Sequence, residues 1–335
     1  MFTAAEALSL VESARSAEDL FGPRSTDPDQ RKQAKRRYHA LASVLHPDVV
    51  GPADTRAHAA SANLTRLHHE WTNEVRVTLK TRTGTYRIGE PFAKGSIANL
   101  YEAEGPHVVK VVRNPALNPL LHGEWHALRR LERFTDRNQW LRPFYPRLLD
   151  TSGDVAKGSR AFTVLDPLRE GFVTLKEVRN AYPDGLDGRD YAWMHRRLLK
   201  ALAGAHQIGL VHGAVTAENV LVHPEQHGIV LAGWSFAVET GQRLLATSKT
   251  IAYPPEVQEQ KPVTAASDVH MAHMLMLELL NTKEKRQIAF ARGCTQDRPE
   301  RRPDASDLID EYDELLEELY GPRVFRPFTL PRTGE

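Results

Sequence analysis

Between residues 72 and 75 the chain changes texture, and that change constrains the fold more than any other feature. Before it, Ala, Arg and His are frequent and strand formers are scarce. After it, "VRVTLKTRTGTYRIGEPF" alternates β-branched and polar residues around a turn at Thr83-Gly84, the pattern of a hairpin. Strand patterns continue through "ANLYEAEGPHVVKVVR" and "AFTVLDPL". Helical patterns dominate from about Tyr191, in "YAWMHRRLLKALAGAHQIG" and "SDLIDEYDELLEELY". A helical start, then strands, then helices reads as α+β with more than one domain, and 335 residues suffice for that.

Charge and cysteine usage narrow the function classes. Lys and Arg number 44 against 43 for Asp and Glu, so the chain as a whole suits neither nucleic acid nor a membrane surface. Cys294 is alone, which rules out an intrachain disulfide and fits a reducing, cytoplasmic setting. The first residues lack the basic start of a secretory signal, and no run of 18 apolar residues occurs. The final "LPRTGE" matches an anchoring signal in letters only. The hydrophobic segment and basic tail that such a signal needs do not come after it, and it reads as coincidence. The histidines, His68 and His69 among them, lack ligand spacing with acids or cysteines and read as surface or capping residues.

The first segment carries a basic helix. In "DQRKQAKRRYHALASVLHPDVV", Tyr38, Leu41 and Leu45 form an apolar stripe, while Lys35, Arg36 and their basic neighbours take the other faces. Pro47 ends the helix and pushes His46 out of helical geometry. "ANLTRLHHEW" then sets Leu64, Leu67 and Trp71 on one stripe. Two helices joined by a loop with His46, Pro47 and Asp48 resemble a J domain over residues 17–71, with "AEDLFG" as its short first helix. The resemblance implies docking on a DnaK-type heat-shock ATPase, with His46, Pro47 and Asp48 as contacts and Lys35 and Arg36 meeting an acidic groove.

A second set of residues has the parts of phosphoryl transfer, with gaps. "FAKGSIANLYEAE" keeps one glycine, Gly95, where a phosphate-cradling loop has three; Ala93 and Ala98 stand at the others. "HVVKVVR" supplies a strand lysine, Lys110, behind Val108, and "LLHGEWHALRRL" supplies Glu124 on a following helix. "LVHGAVTAENVLVHP" keeps His212 and Asn219 at the spacing of a catalytic loop, but Ala214 stands where the general base belongs, and Thr216 where a lysine does. Loss of a general base alone costs about 10²–10⁴ in rate. "HGIVLAGWSFA" brings Gly233-Trp234-Ser235 where a metal-binding aspartate would open the turn. Asn219 alone holds magnesium poorly.

In order and spacing these motifs resemble a protein kinase over residues 86–320, and the missing acids resemble a pseudokinase. The resemblance implies a bilobal kinase-like domain. Gly95, Lys110, Glu124 and Asn219 would be its nucleotide contacts, and Leu165-Asp166-Pro167-Leu168 its hinge. Any ATP held there would be bound weakly and without magnesium. His212, Trp234, Glu256 of "AYPPEV", Asp268 of "SDVHMAHMLMLELL" and Arg302 of "DRPERRPDASDLI" would be structural, with Glu256 and Arg302 paired. The organisation expected is a J-like helical domain over 1–73, a linker and first strand over 74–84, the kinase-like domain over 85–320, and an extended tail over 321–335 packed on the body or a partner. The function expected is that of an inactive kinase-fold adaptor or co-chaperone joining a DnaK-type ATPase to a client. An atypical serine/threonine kinase and a purely structural assembly protein are the alternatives.

Overall fold

The computed structural model describes the whole chain except Met1, Thr26, Pro52, Ala53, residues 74–76 and 332–335, and the side chains of Pro47, Asp48 and Asn73. It forms two compact units, Met1–Lys94 with Asn99–Val109, and Gly95–Ala98 with Lys110–Glu335. The helices and the first strands fall in one unit. Arg31 of α3 (Pro28–Leu45), for instance, forms an ion pair with Glu90 of β2 (Thr85–Lys94).

The first unit begins with α1 (Ala4–Ser13), α2 (Ala17–Phe21), α3, α4 (Pro47–Val50) and α5 (Thr55–Asn73). Thr3 and Ser16 cap the first two helices through reciprocal bonds with Glu6 and Asp19. Asp27 caps α3, with Pro28 pre-set for its first turn. The helix stops at Leu45, and His46 turns to ψ 138°, the extended geometry that a following proline imposes. Leu41, Leu45, Leu64, Leu67 and Trp71 share one core with Val11, Leu20 and Phe21. β1 (Val77–Lys80), β2, β3 (Ala98–Ala103) and the start of β4 (His107–Val112) lie side by side. Val77 lies opposite Ile88, and Ile88 opposite Ala103. The register slips around Pro91, which has no N–H to donate.

In the second unit the end of β4 is followed across its sheet by β6 (Phe162–Leu165) and β5 (Leu148–Thr151). α6 (Asn118–Thr135) buries Leu121, Glu124, Trp125, Leu128 and Leu131 on one face. Beyond it come β7 (Val173–Thr174), α7 (Leu175–Ala181), α8 (Gly188–Gln207), β8 (Leu210–Val211), β9 (Val220–His223), β10 (Gly228–Leu231) and β11 (Val238–Glu239). α9 (Pro255–Gln258), α10 (Ala265–Leu279), α11 (Lys285–Cys294) and α12 (Ala305–Tyr320) complete the unit. α10 is buried on nearly every face and forms the centre of the core.

The histidines correct the sequence reading. His68 is half-buried, stacked 4.0 Å from the Tyr38 ring, and burial lowers its pKa to about 4. His195 and His273 are fully buried and meet Nε2 to Nε2 at 3.2 Å. The tail packs on the second unit: Phe328 is buried against Tyr182 and Trp193, and the Tyr182 hydroxyl donates to the Thr329 carbonyl at 2.7 Å. The end of "LPRTGE" lies outside the described residues.

Candidate functional site

The site grows from a polar triangle inside the second unit. Lys110 leaves β4 into the interior, where its ammonium donates to Glu124 of α6 and, at 2.7 Å, to Ser235 Oγ. Ser235 donates in turn to the same Glu124 carboxylate. All three are buried. A buried ammonium needs such partners, since unpaired it would cost several kcal/mol. Ser235 is the member that sequence reasoning passed over. Its signal was a hydroxyl at the third position of the Gly233-Trp234-Ser235 turn, where a kinase carries glycine.

The loop after α8 is held from below. Asp268 of α10 accepts from the His212 N–H at 2.7 Å, the Gly213 N–H at 2.9 Å and the His206 ring at 2.9 Å. His212 bonds the Ala232 carbonyl through Nε2 at 2.8 Å, which leaves Nδ1 to accept from the Ala214 N–H. Burial lowers the pKa of His212 against the pull of Asp268, so the ring is neutral. Trp234 stands edge-on to it at 4.6 Å and donates from Nε1 to Leu231. Leu128 is part of the same core.

In the turn after β10, Gly233 has φ +80°. A Cβ built there would lie 2.3 Å from Cγ and Oδ1 of Asn219 and 2.6 Å from Nδ2. The Asn219 amide is committed elsewhere, donating to the Ala214 carbonyl at 2.9 Å. Ala214 itself is fully buried in an apolar cluster with Ile97, Ala98, Leu120 and Phe236. Ile97 and Ala98 are the tip of the turn that Gly95 opens, closed by a Gly95 N–H to Ala98 carbonyl bond of 2.8 Å. The aliphatic side chains of Ile97 and Ala98 thus pack on the Ala214 loop. Positions 214 and 233 carry no carboxylate, and the Asn219 Nδ2 donates to the Ala214 carbonyl. Among the described residues there is also no group of three or more His, Cys, Asp or Glu suited to a metal ion.

Farther along, Glu256 and Arg302 form a bidentate pair with contacts of 2.7 and 3.0 Å, and Ser267 donates to Glu256 at 2.7 Å. Burial pushes the Glu256 pKa up, but the bonds from Arg302 and Ser267 outweigh it and hold the carboxyl below its ordinary value. Arg302 also donates to the carbonyls of Gln296, Ala266 and Asp297. Glu218 faces outward to Lys176 at 3.0 Å.

In the first unit His46 is an exposed helix cap, and Lys35 and Arg36 are exposed on α3. The side chains of Pro47 and Asp48 lie outside the described residues.

Comparison with known proteins decides the architecture. A solved structure, that of vaccinia related kinase 3, superposes with a TM-score of 0.59 over 76% of this chain and 94% of its own, at 19% identity. The fold is that of the protein kinases. A probable serine/threonine-protein kinase, pknA2 of Bifidobacterium longum, is 25% identical over 207 residues. That match takes in 60% of this chain but only 27% of the relative's length. No protein-family model matches. Neither comparison lends support to the J-domain resemblance of the N-terminal helices. Among the described residues no helix is long and apolar enough to cross a membrane.

Proposed function

We propose that the kinase fold here serves as a binding module and not as a phosphotransferase. The observation that carries this reading is the Gly233–Asn219 contact. The space an aspartate would need at 233 is taken by Asn219, whose amide serves the Ala214 carbonyl. Restoring the acid therefore requires a rebuilt loop and not one substitution. The packing of Ile97 and Ala98 onto Ala214 favours the same reading. The Lys110–Glu124–Ser235 triangle supports a structural part for the lysine, tying β4 to α6.

The test is labelled ATP with the purified full chain, with magnesium and with manganese, beside Lys110→Met. The expected result is no incorporation into the protein or a generic substrate, and a thermal shift with ATP that is small and indifferent to magnesium. Incorporation that disappears in Lys110→Met would overturn the reading. It would favour the second one, an atypical serine/threonine kinase using Lys110, Glu124 and Asn219. The similarity to a serine/threonine kinase favours that second reading in lineage, although a kinase-derived binding module would carry the same similarity.

For the N-terminal helices we propose recruitment of a DnaK-type ATPase. The exposed His46 at the end of a basic helix over a Leu and Trp core supports this reading.

A further inference from the structure

Behind the strand that ends at Leu165, the second unit has a groove of about 700 Å³. Asp166, Pro167 and Leu168 of the expected hinge line it, while Ala214, Asn219 and Gly233 do not. Four arginines and two aspartates line it: Arg142, Arg147, Arg169 and Arg197 against Asp136 and Asp166. The acids are already engaged. Asp136 accepts from Arg142 at 3.0 Å, and Asp166 lies 3.6 Å from Arg147. Arg169 and Arg197 remain. Among the described residues neither has a carboxylate within ion-pair distance.

Arg197 is the unusual one. It is half-buried on α8, with the cations Arg323 of the tail and Arg196 near enough to act on it. Burial and those two charges push its pKa below the ordinary guanidinium value. Arg196 has a counter-ion of its own in Asp313. A partly desolvated guanidinium with like charges beside it weakens the fold that holds it. Such a group is compensated when an anion enters.

Two further features say what kind of anion fits. β10 is an edge strand of its sheet, and Gly228, Ile229 and Val230 line the groove. Ile229 and Val230 are buried, so they form the floor of the groove and not an open edge. Phe172 and the exposed Leu168 add an apolar wall. A free inorganic anion would make no use of that wall.

We propose that this groove binds an acidic segment of a partner protein, with carboxylates on Arg197 and Arg169 and an apolar side chain against Phe172 and Leu168.

The experiment uses the full chain and a fluorescein-labelled octapeptide, Asp-Glu-Leu-Glu-Asp-Phe-Glu-Asp, read by fluorescence anisotropy. Its controls are the same octapeptide with every carboxylate made an amide, and a labelled oligothymidylate of eight nucleotides. The acidic peptide is expected to bind, the amide peptide at least tenfold more weakly. Arg197→Gln is expected to weaken binding at least tenfold, while Arg286→Gln, at an exposed ion pair with Glu318, leaves it unchanged. The melting temperature of Arg197→Gln is expected to equal or exceed that of the wild type, since an uncompensated charge has gone. No binding of the acidic peptide up to millimolar concentration would overturn the proposal. So would equal binding by Arg197→Gln, equal binding of the amide peptide, or tighter binding of the oligonucleotide. A lower melting temperature for Arg197→Gln would make Arg197 a structural residue and overturn it as well.

Discussion

Gly233→Ala is the substitution that probes the site most directly. Two costs combine. A non-glycine residue at φ +80° costs about 1–2 kcal/mol. The new Cβ would also sit 2.3 Å from Asn219 Cγ, so the amide must swing away. That breaks its 2.9 Å bond to the Ala214 carbonyl, worth about 1 kcal/mol, and leaves a buried acceptor unpaired at about 1 kcal/mol or more. The total is about 3–4 kcal/mol. In an Asn219→Ala background the clash and the bond are both absent, and only the backbone cost of about 1–2 kcal/mol stays. The two substitutions should therefore couple by about 2 kcal/mol. Urea denaturation of wild type, both single variants and the double variant, each extrapolated to water, measures that coupling. Equal cost of Gly233→Ala in the two backgrounds would refute the claim that Asn219 occupies the place of the missing acid.

The other predictions concern neighbouring features. Arg302→Ala leaves Glu256 buried without its partner and should cost about 3–5 kcal/mol, read as a lower melting temperature; an unchanged curve would mean that the pair carries no load. His273 is held neutral by burial, with a folded pKa of about 4 against 6.5 when free, and His195 is lowered in the same direction. The unfolded chain therefore takes up protons first on acidification. Stability should be level above pH 6.5 and fall by about 1.4 kcal/mol per unit for His273 between pH 6.5 and 4, about 3 kcal/mol in all. Denaturation midpoints across that range, beside a His195→Leu/His273→Leu variant with a flatter profile, check it. Restoring both acids as Ala214→Asp with Gly233→Asp should yield no phosphotransfer, since Asn219 still obstructs position 233; turnover of labelled ATP by that variant would contradict the site geometry. His46→Gln should abolish any stimulation of a DnaK-type ATPase while leaving the circular dichroism spectrum unchanged, and a wild type that stimulates none would remove the co-chaperone proposal.

Local patterns carried much of the architecture. Pro47 ends α3 through a clash with its immediate predecessor, so the stop could be read from adjacent letters. The stripes of α3 and α5 come from helical spacing, and their residues are buried. That positions 214 and 233 carry no acid is visible in a sequence without any coordinates. The order of Lys110, Glu124, His212, Asn219, Glu256, Asp268 and Arg302 likewise pointed to one known arrangement of chain. What filled the vacated space was decided only by tertiary packing. Asn219 and Gly233 are 14 residues apart, and nothing in either neighbourhood says that one occupies the other's volume. Ile97 reads as a loop residue until the turn folds onto Ala214. His195 and His273 look like solvent-facing polar residues in a string of letters, yet 78 positions of separation close to a 3.2 Å contact. Arg197 differs from other arginines only in what surrounds it. Burial and charge compensation are sums over neighbours drawn from the whole chain, so they come into being only when distant segments meet.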